Sequence, residues 1–387
     1  MPPPAVRRDL GVAVALTWLV TLAYLAVRPG GLLDLNVYRA ASQRLLDGAS
    51  IYSQPYGDLP FTYPPFAAIV MVPLAVLPTV LAELVLPLLS ALALVVVWHR
   101  CGLATRWLLL VAPASALLEP VWMTQHFGQV NLLLLALVLG DLVGPTSRWR
   151  GLLTGVAAGI KLTPLIFLGH LVVTRQWRAA AVMASSFAAT VLVPLVLIPG
   201  DGVGFWTSVL PDSGRIGAPW YAANQSLMGV IARLGGEAAW VRPVWFASSL
   251  LVVLLALWLA RSLFVRGDLL GAISATGLAS LLASPVSWSH HWVWCIPLGV
   301  VLFRRAGPPA ALLWIAIFVA APHLWLASGH DTELGWTWQH LVGDAYVWAG
   351  LAWLAVVASG YRRRRDADRD VRPARERQEH RRETTRR

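Results

Sequence analysis

The stretch GLLTGVAAGIKLTPLIFLGHLVV, residues 151–173, contains one charged side chain, Lys161. A bilayer's hydrocarbon core is crossed by roughly 20 apolar residues, so the run is long enough to span it. Gly155, Gly159 and Pro164 interrupt it. The run therefore reads either as one span or as a hairpin of two short half-helices, a form tolerated where protein covers the backbone. Lys161 is the sole lysine of the chain. An ammonium at bilayer depth costs at least ~2.5 kcal/mol on insertion scales, which implies an anionic partner or a water-filled cavity. Snorkelling to the interface is the plainer alternative. Because Ile160 precedes this lysine, the Gly-Lys-Ser/Thr of a Walker-type ATP site is absent.

Outward from this stretch, similar apolar runs recur at 10–27, 62–78, 79–98, 105–118, 129–143, 179–199, 242–264, 268–285, 291–303, 308–326 and 344–359. Of the 387 residues 57% are hydrophobic and only 13% are charged. A soluble domain carries roughly 25% charged residues, so the bilayer is the solvent here. The fold class is an all-α polytopic membrane protein with about 10–13 transmembrane helices. Two cysteines, Cys101 and Cys295, are too few for a disulfide framework or a thiolate metal cluster.

Arg7 and Arg8 precede the first run, Arg28-Pro29-Gly30-Gly31 follows it, and no small-residue cleavage site is present. It reads as a retained span. Arginines at both ends of the apolar body place both termini in the cytoplasm, which requires an even number of crossings. Arg175, Arg178, Arg261, Arg266, Arg304 and Arg305 fit that orientation. Arg100, Arg106, Arg148 and Arg150 also prefer the inside, and they conflict with the rest if every run is a simple span. Polar segments 28–61, 200–241, 286–291 and 327–343 then fall outside. Residues 1–360 form one membrane domain. The tail 361–387, with 12 Arg against 6 acidic residues, holds +6 of the net charge of +11. It reads as a solvated cytoplasmic segment able to touch anionic lipid, without the interleaved aromatics of a nucleic-acid-binding tail. Asp366 and Asp368 fall inside it and do not read as a metal site.

The first outer segment is the densest in polar and aromatic residues. Residues 34–46 predict a short amphipathic helix. Asp34, near its start, acts either as a helix cap or as a base that removes a proton from a hydroxyl nucleophile. The run Ser284 to Trp294 holds His290 and His291 beside Trp288. Adjacent histidines on a helix point roughly 100° apart and do not form the i, i+4 pair of a zinc helix. One of them binds a phosphate or a sugar hydroxyl, or both serve as a structural, hydrogen-bonded pair. Trp220, Asn224 and Arg233 combine flat rings, amides and a cation, a mixture that suits sugars and equally suits interfacial anchoring. Gln129 and Asn131, at the start of another run, orient hydroxyls or act as interhelical glue.

Taken together, Asp34-Leu35-Asn36-Val37-Tyr38-Arg39, Phe61-Thr62-Tyr63-Pro64-Pro65, Gln129-Val130-Asn131, Gly159 to Pro164, Asn224 to Leu227 and Ser284 to Trp292 resemble the membrane glycosyltransferases of family 87. The resemblance covers nearly the whole chain to about residue 359. It implies a GT-C fold with short extracytoplasmic loop helices, an active site open outside the cytoplasm, and a plasma-membrane location. The members most similar to it use a polyprenyl-phosphate-mannose donor and extend an envelope glycolipid or lipoglycan through α-1,2 linkages, with inversion. By the same resemblance Asp34 is the general base, and His290 or His291 is the functional histidine. Lys161 and Arg233 are candidates to stabilise the leaving phosphate. Tyr38, Arg39, Tyr63, Gln129, Asn131, Trp220, Asn224 and Trp288 are candidate substrate contacts. Relatives often carry a second acid in the first motif. Asn36 at that position weakens the case for a divalent metal, and no cofactor is expected. The competing readings are a transporter or flippase for a polyprenyl-linked sugar, and an enzyme of the same fold using another lipid-phosphate sugar such as arabinofuranose.

Overall fold

The computed structural model describes residues 4–360 apart from Pro29, Asp58 and Pro145. The basic tail 361–387, with Asp366 and Asp368, lies outside the described residues. Among the described residues the chain is helical, and its only β-type pairings are two isolated bridges.

The chain runs through α1 (Pro4–Val27), α2 (Leu33–Leu46), α3 (Pro65–Val76), α4 (Thr79–Arg100), α5 (Thr105–Ala114), α6 (Glu119–Phe127) and α7 (Asn131–Leu142). It continues through α8 (Leu152–Ile160), α9 (Ile166–Val173), α10 (Trp177–Leu197), α11 (Pro199–Gly204), α12 (Leu227–Gly235), α13 (Val241–Val265), α14 (Leu269–Ala283) and α15 (Cys295–Ala320). A last apolar helix covers Ala345–Gly360.

Side-chain contacts sort the loops into two ends. At one end Arg304 donates to the Cys101 carbonyl, Arg305 pairs with Asp268, Arg150 donates to the Leu142 and Gly144 carbonyls, and Arg261 donates to Thr174 O. At the other end Asn131 reaches His290 O, Asn224 holds Ser287, and Gln225 reaches Gly343 O. There too Asp201 accepts from Ser50 Oγ at 2.6 Å and Ile51 N at 2.9 Å, fastening the first polar segment to the second. Among the described residues five helical segments are long and apolar enough to cross a membrane, and shorter apolar helices run among them.

One of the expected spans is a short helix laid along its neighbour. The run 62–78 becomes α3, 12 residues long and about 18 Å in length. It lies antiparallel along α2, with Ser42 Oγ bonded to Ala68 O near its start and Arg39 bonded to Leu74 O and Leu77 O at its end. Both ends of α3 thus rest on the same amphipathic helix, and the chain first turns back toward the arginine-rich end with α4. Arg100 then falls at that end, beside Gly144. Arg100 thus shares an end of the bundle with Arg150 and Arg304.

Two other runs fold back on themselves. In α15, Gly307 leaves the helical conformation at φ 81°, and Trp314 Nε1 donates to Cys295 O at 2.8 Å. A straight helix would hold those residues about 28 Å apart, so α15 is two antiparallel arms, matching the separate runs 291–303 and 308–326.

The run 151–173 breaks at Lys161. Gly151, just before α8, lies against Ala179 and Met183, Gly155 against Met183 and Ser186, and Gly159 against Thr190, so α8 runs parallel to α10. After the 3-10 turn Thr163–Leu165, α9 returns beside α14, with His170 Nδ1 2.8 Å from Thr276 Oγ1. This is a re-entrant hairpin with Lys161 at its tip. The three glycines, spaced four apart, let the α10 backbone approach as small residues do in membrane helix pairs.

Candidate active site

At the polar end a cavity of about 530 Å³ opens between α2, the hairpin tip and the segment preceding α15; Asp34, Tyr63, Lys161, Trp288 and His291 line it. Asp34 stands in the first turn of α2, and no side chain caps that helix. The N-terminal position belongs to Leu32, held at φ 63° with its N–H donating to the His126 carbonyl. Leu35, fully buried, anchors the inner side of this turn, and Asp34 faces the cavity. Capping is therefore not the role the geometry gives it.

A phenol–amide cluster supports Asp34. The Tyr38 and Tyr63 hydroxyls stand 2.9 Å apart and 2.9 and 2.8 Å from Gln129 Oε1. With its oxygen accepting from the phenols, the Gln129 amide nitrogen is left to donate, and Gln129 lines the same cavity as Asp34. Burial pushes the Asp34 carboxyl up to about 6, against the opposing pull of the Gln129 hydrogen bond and the Lys161 charge. Such a carboxyl is ionised at neutral pH while remaining a stronger base than an ordinary aspartate.

Lys161 Nζ reaches Asn131 Oδ1 at 3.1 Å and His291 Nε2 at 2.9 Å, and lies 5.3 Å from the Tyr63 ring centre. When Lys161 is an ammonium it has only donors, and His291 then accepts through Nε2 and carries its own proton on Nδ1. Asn131 also donates to His290 O at 3.1 Å, joined there by Thr124 Oγ1 at 2.9 Å. These bonds tie the hairpin tip to the histidine segment. The His290 ring is turned away, packed against Phe127 and His291 at centroid distances of 5.3 and 4.7 Å. Of the two histidines, His291 is the one on the cavity.

The remaining candidates from the sequence stand elsewhere. Arg39 holds the C-terminal carbonyls of α3 and Thr79. Arg233 is fully buried in an ion pair with Asp344 and donates to the Trp220, Tyr221 and Asn224 carbonyls. Asn224 braces the histidine segment through Pro285 O and Ser287 N, and Trp220 Nε1 donates to Asp331 at 2.7 Å. These four build the wall and do not line the cavity. Glu119, buried between Ser289 Oγ at 2.7 Å and Tyr346 OH at 2.9 Å, fastens the same wall from behind. Sequence reasoning missed Arg215, which lines the cavity from the second polar segment. Its position in a loop without a motif gave no signal. Among the described residues no three His, Cys, Asp or Glu side chains converge as a metal site.

One carboxylate base, one ammonium and a neutral imidazole around a cavity at the end of an apolar bundle suit proton removal from a hydroxyl and charge stabilisation on a leaving phosphate. The comparisons bear on this directly. A polyprenol-phosphate-mannose-dependent α-(1-2)-phosphatidylinositol mannoside mannosyltransferase from Mycobacterium tuberculosis is 34% identical over 91% of this chain and 92% of its own length. A polyprenol-phosphate-mannose-dependent α-(1-2)-phosphatidylinositol pentamannoside mannosyltransferase from Mycolicibacterium smegmatis is 35% identical over 87% of this chain and 86% of its own. An α-(1->3)-arabinofuranosyltransferase from Corynebacterium glutamicum is 30% identical over 55% of this chain and 53% of its own. No solved structure matches. The sequence profile of glycosyltransferase family 87 matches residues 61–285, from the phenol cluster to the histidine segment, and with these relatives it shows that the chain belongs to glycosyltransferase family 87.

Proposed function

We propose that this protein transfers mannose from a polyprenyl-phosphate-mannose donor to a hydroxyl of a phosphatidylinositol mannoside-type glycolipid, forming an α-1,2 linkage. The observation that carries the reading is the placement of Asp34 and Lys161 on the same cavity, with relatives that share the donor over nine-tenths of the chain. Asp34 takes the proton of the acceptor hydroxyl as its oxygen attacks the anomeric carbon. The bond from that carbon to the phosphate oxygen breaks, its electron pair stays on the phosphate, and polyprenyl phosphate leaves. Attack on the face opposite the leaving group inverts the anomeric configuration.

Lys161, held by Asn131 and His291, meets the charge that develops on the leaving phosphate. A donor of this kind, already in place in a water-poor site, is worth about 10²–10³ in rate. Gln129, Tyr38 and Tyr63 hold the base in position, and the Trp288 ring offers an apolar face to a sugar.

The orientation follows from the arginine-rich end. Positive residues concentrate on the cytoplasmic side, so that end and both termini lie in the cytoplasm and the cavity opens on the outer face of the plasma membrane. A lipid-linked donor can then reach the site from the outer leaflet.

Purified protein in lipid vesicles, given polyprenyl-phosphate-mannose with a labelled sugar and phosphatidylinositol mannosides, tests the reading. A labelled glycolipid heavier by one hexose, resistant to mild acid that cleaves the donor, is the expected product. Label crossing the bilayer with no new glycosidic bond would replace the enzyme by a flippase. Product formed only from a polyprenyl-phosphate-arabinofuranose would keep the chemistry and change the sugar.

A further inference from the structure

Arg215 sits in the 3-10 turn Ser213–Ile216, beyond the π-helical turn Phe205–Val209. Phe205, Leu210, Arg215 and Ile216 supply the cavity wall that comes from the second polar segment. The turn is packed against the site: Gly217, two residues after Arg215 and at φ 118°, stands where a Cβ would lie 3.6 Å from the Trp288 ring. The Arg215 side chain is half-buried and its Nε is enclosed with no hydrogen-bond partner among the described residues.

Other buried or half-buried arginines have visible work. Arg39 closes the end of α3, Arg150 holds carbonyls after α7, and Arg233 is paired with Asp344. Arg215 makes no ion pair with a described carboxylate, and it faces a cavity already holding Asp34 and Lys161. A buried polar donor without a partner is costly, and a guanidinium meets that cost best by taking an anion through its fork of N–H groups.

The charge of the reaction points the same way. A lipid phosphodiester donor carries one negative charge into a site that contains the Asp34 carboxylate, and Lys161 alone offsets only one of these. After transfer the leaving phosphate monoester holds a second negative charge, while Asp34 has taken up the acceptor's proton. A second fixed cation keeps the occupied cavity neutral in both states, and low-dielectric surroundings make that difference large.

We propose that Arg215 is a second phosphate-binding residue, which grips the lipid phosphate from the 198–226 segment while Lys161 holds it from the hairpin tip. The proposal rests on the reading of this cavity as the lipid-phosphate site, and the test separates the two. Protein reconstituted in nanodiscs is titrated with polyprenyl phosphate and with the neutral polyprenol of the same length, for the wild type, Arg215→Gln and Arg215→Lys. The wild type is expected to prefer the phosphate. Arg215→Gln should lose about tenfold to a hundredfold of that preference, as expected for a charge-assisted hydrogen bond, with polyprenol binding unchanged. Arg215→Lys, which keeps the charge without the fork, should fall between them. Unchanged polyprenol binding also reports that the variants are folded. If the wild type prefers the phosphate and both variants keep that preference in full, Arg215 is not a phosphate ligand although the cavity reading stands. If the wild type binds both lipids equally, the cavity reading and the proposal fall together.

Discussion

At the scale of single residues, Asp34 and Lys161 were legible in the sequence because charge is so scarce in the apolar body that each ionic side chain needs a reason to be there. The tyrosines and Gln129 were legible as polar residues but not as a unit. Their hydroxyl and amide groups meet across 25 to 91 residues of chain, a distance that no local pattern encodes. Arg233 and Asn224 show the reverse error. Rings, amides and a cation make up sugar sites, and they also make up a buried, hydrogen-bonded loop; only the burial of Asp344 against Arg233 tells the two apart. Likewise His290 and His291 are equivalent in sequence, and it takes the fold, where the Asn131 side-chain amide holds the His290 carbonyl, to show which ring reaches the cavity. A pH dependence belongs to this scale. With its carboxyl raised to about 6, Asp34 is protonated and inactive as a base below that value. The kcat/KM of the purified enzyme should fall about tenfold for each pH unit below 6 and level off above 7. A profile flat from pH 5 to 8 would mean that a different group removes the proton.

At the scale of elements, the hairpin of α8 and α9 was legible as an alternative because Gly155, Gly159 and Pro164 break an otherwise sufficient span. The packing of α3 along α2 was not legible, for a physical reason. Apolar composition reports burial in lipid or protein but not the direction of the helix axis, and residues 62–78 are as apolar as a crossing. The tip of the hairpin carries Lys161, so its packing on α10 controls the site. A Cβ at Gly159 would overlap the Thr190 side chain. Gly159→Val should therefore push α8 from α10 at a cost of about 1–3 kcal/mol and displace Lys161. Thermal unfolding in detergent and the transfer rate should both fall, the rate by tenfold or more. A variant with wild-type melting and wild-type rate would show that the close approach of these helices does not position the lysine.

At the scale of the whole molecule, the sequence carried the class of fold, because hydropathy is a property of long segments. It did not carry the count of crossings, which depends on which short runs lie in the membrane plane and which return. The two-ended arrangement makes a direct topological prediction. Native Cys101 and Cys295 are buried, so background labelling is low. In intact cells a membrane-impermeant maleimide should label Ser53→Cys and Thr337→Cys from outside and leave Gly267→Cys unlabelled until the cells are opened. Labelling of Gly267→Cys in sealed cells would invert the orientation and place the cavity in the cytoplasm.

The central claim, that a single carboxylate on α2 drives glycosyl transfer, is tested most directly by the rate at which Asp34→Asn protein forms mannosylated glycolipid from polyprenyl-phosphate-mannose, measured beside the wild type at equal folded protein. Asparagine keeps the size of the side chain and an oxygen to accept from Gln129, but it cannot take a proton at neutral pH. The predicted result is a fall in rate of about 10²–10⁴-fold with unchanged melting. Transfer at the wild-type rate by folded Asp34→Asn protein would contradict the account.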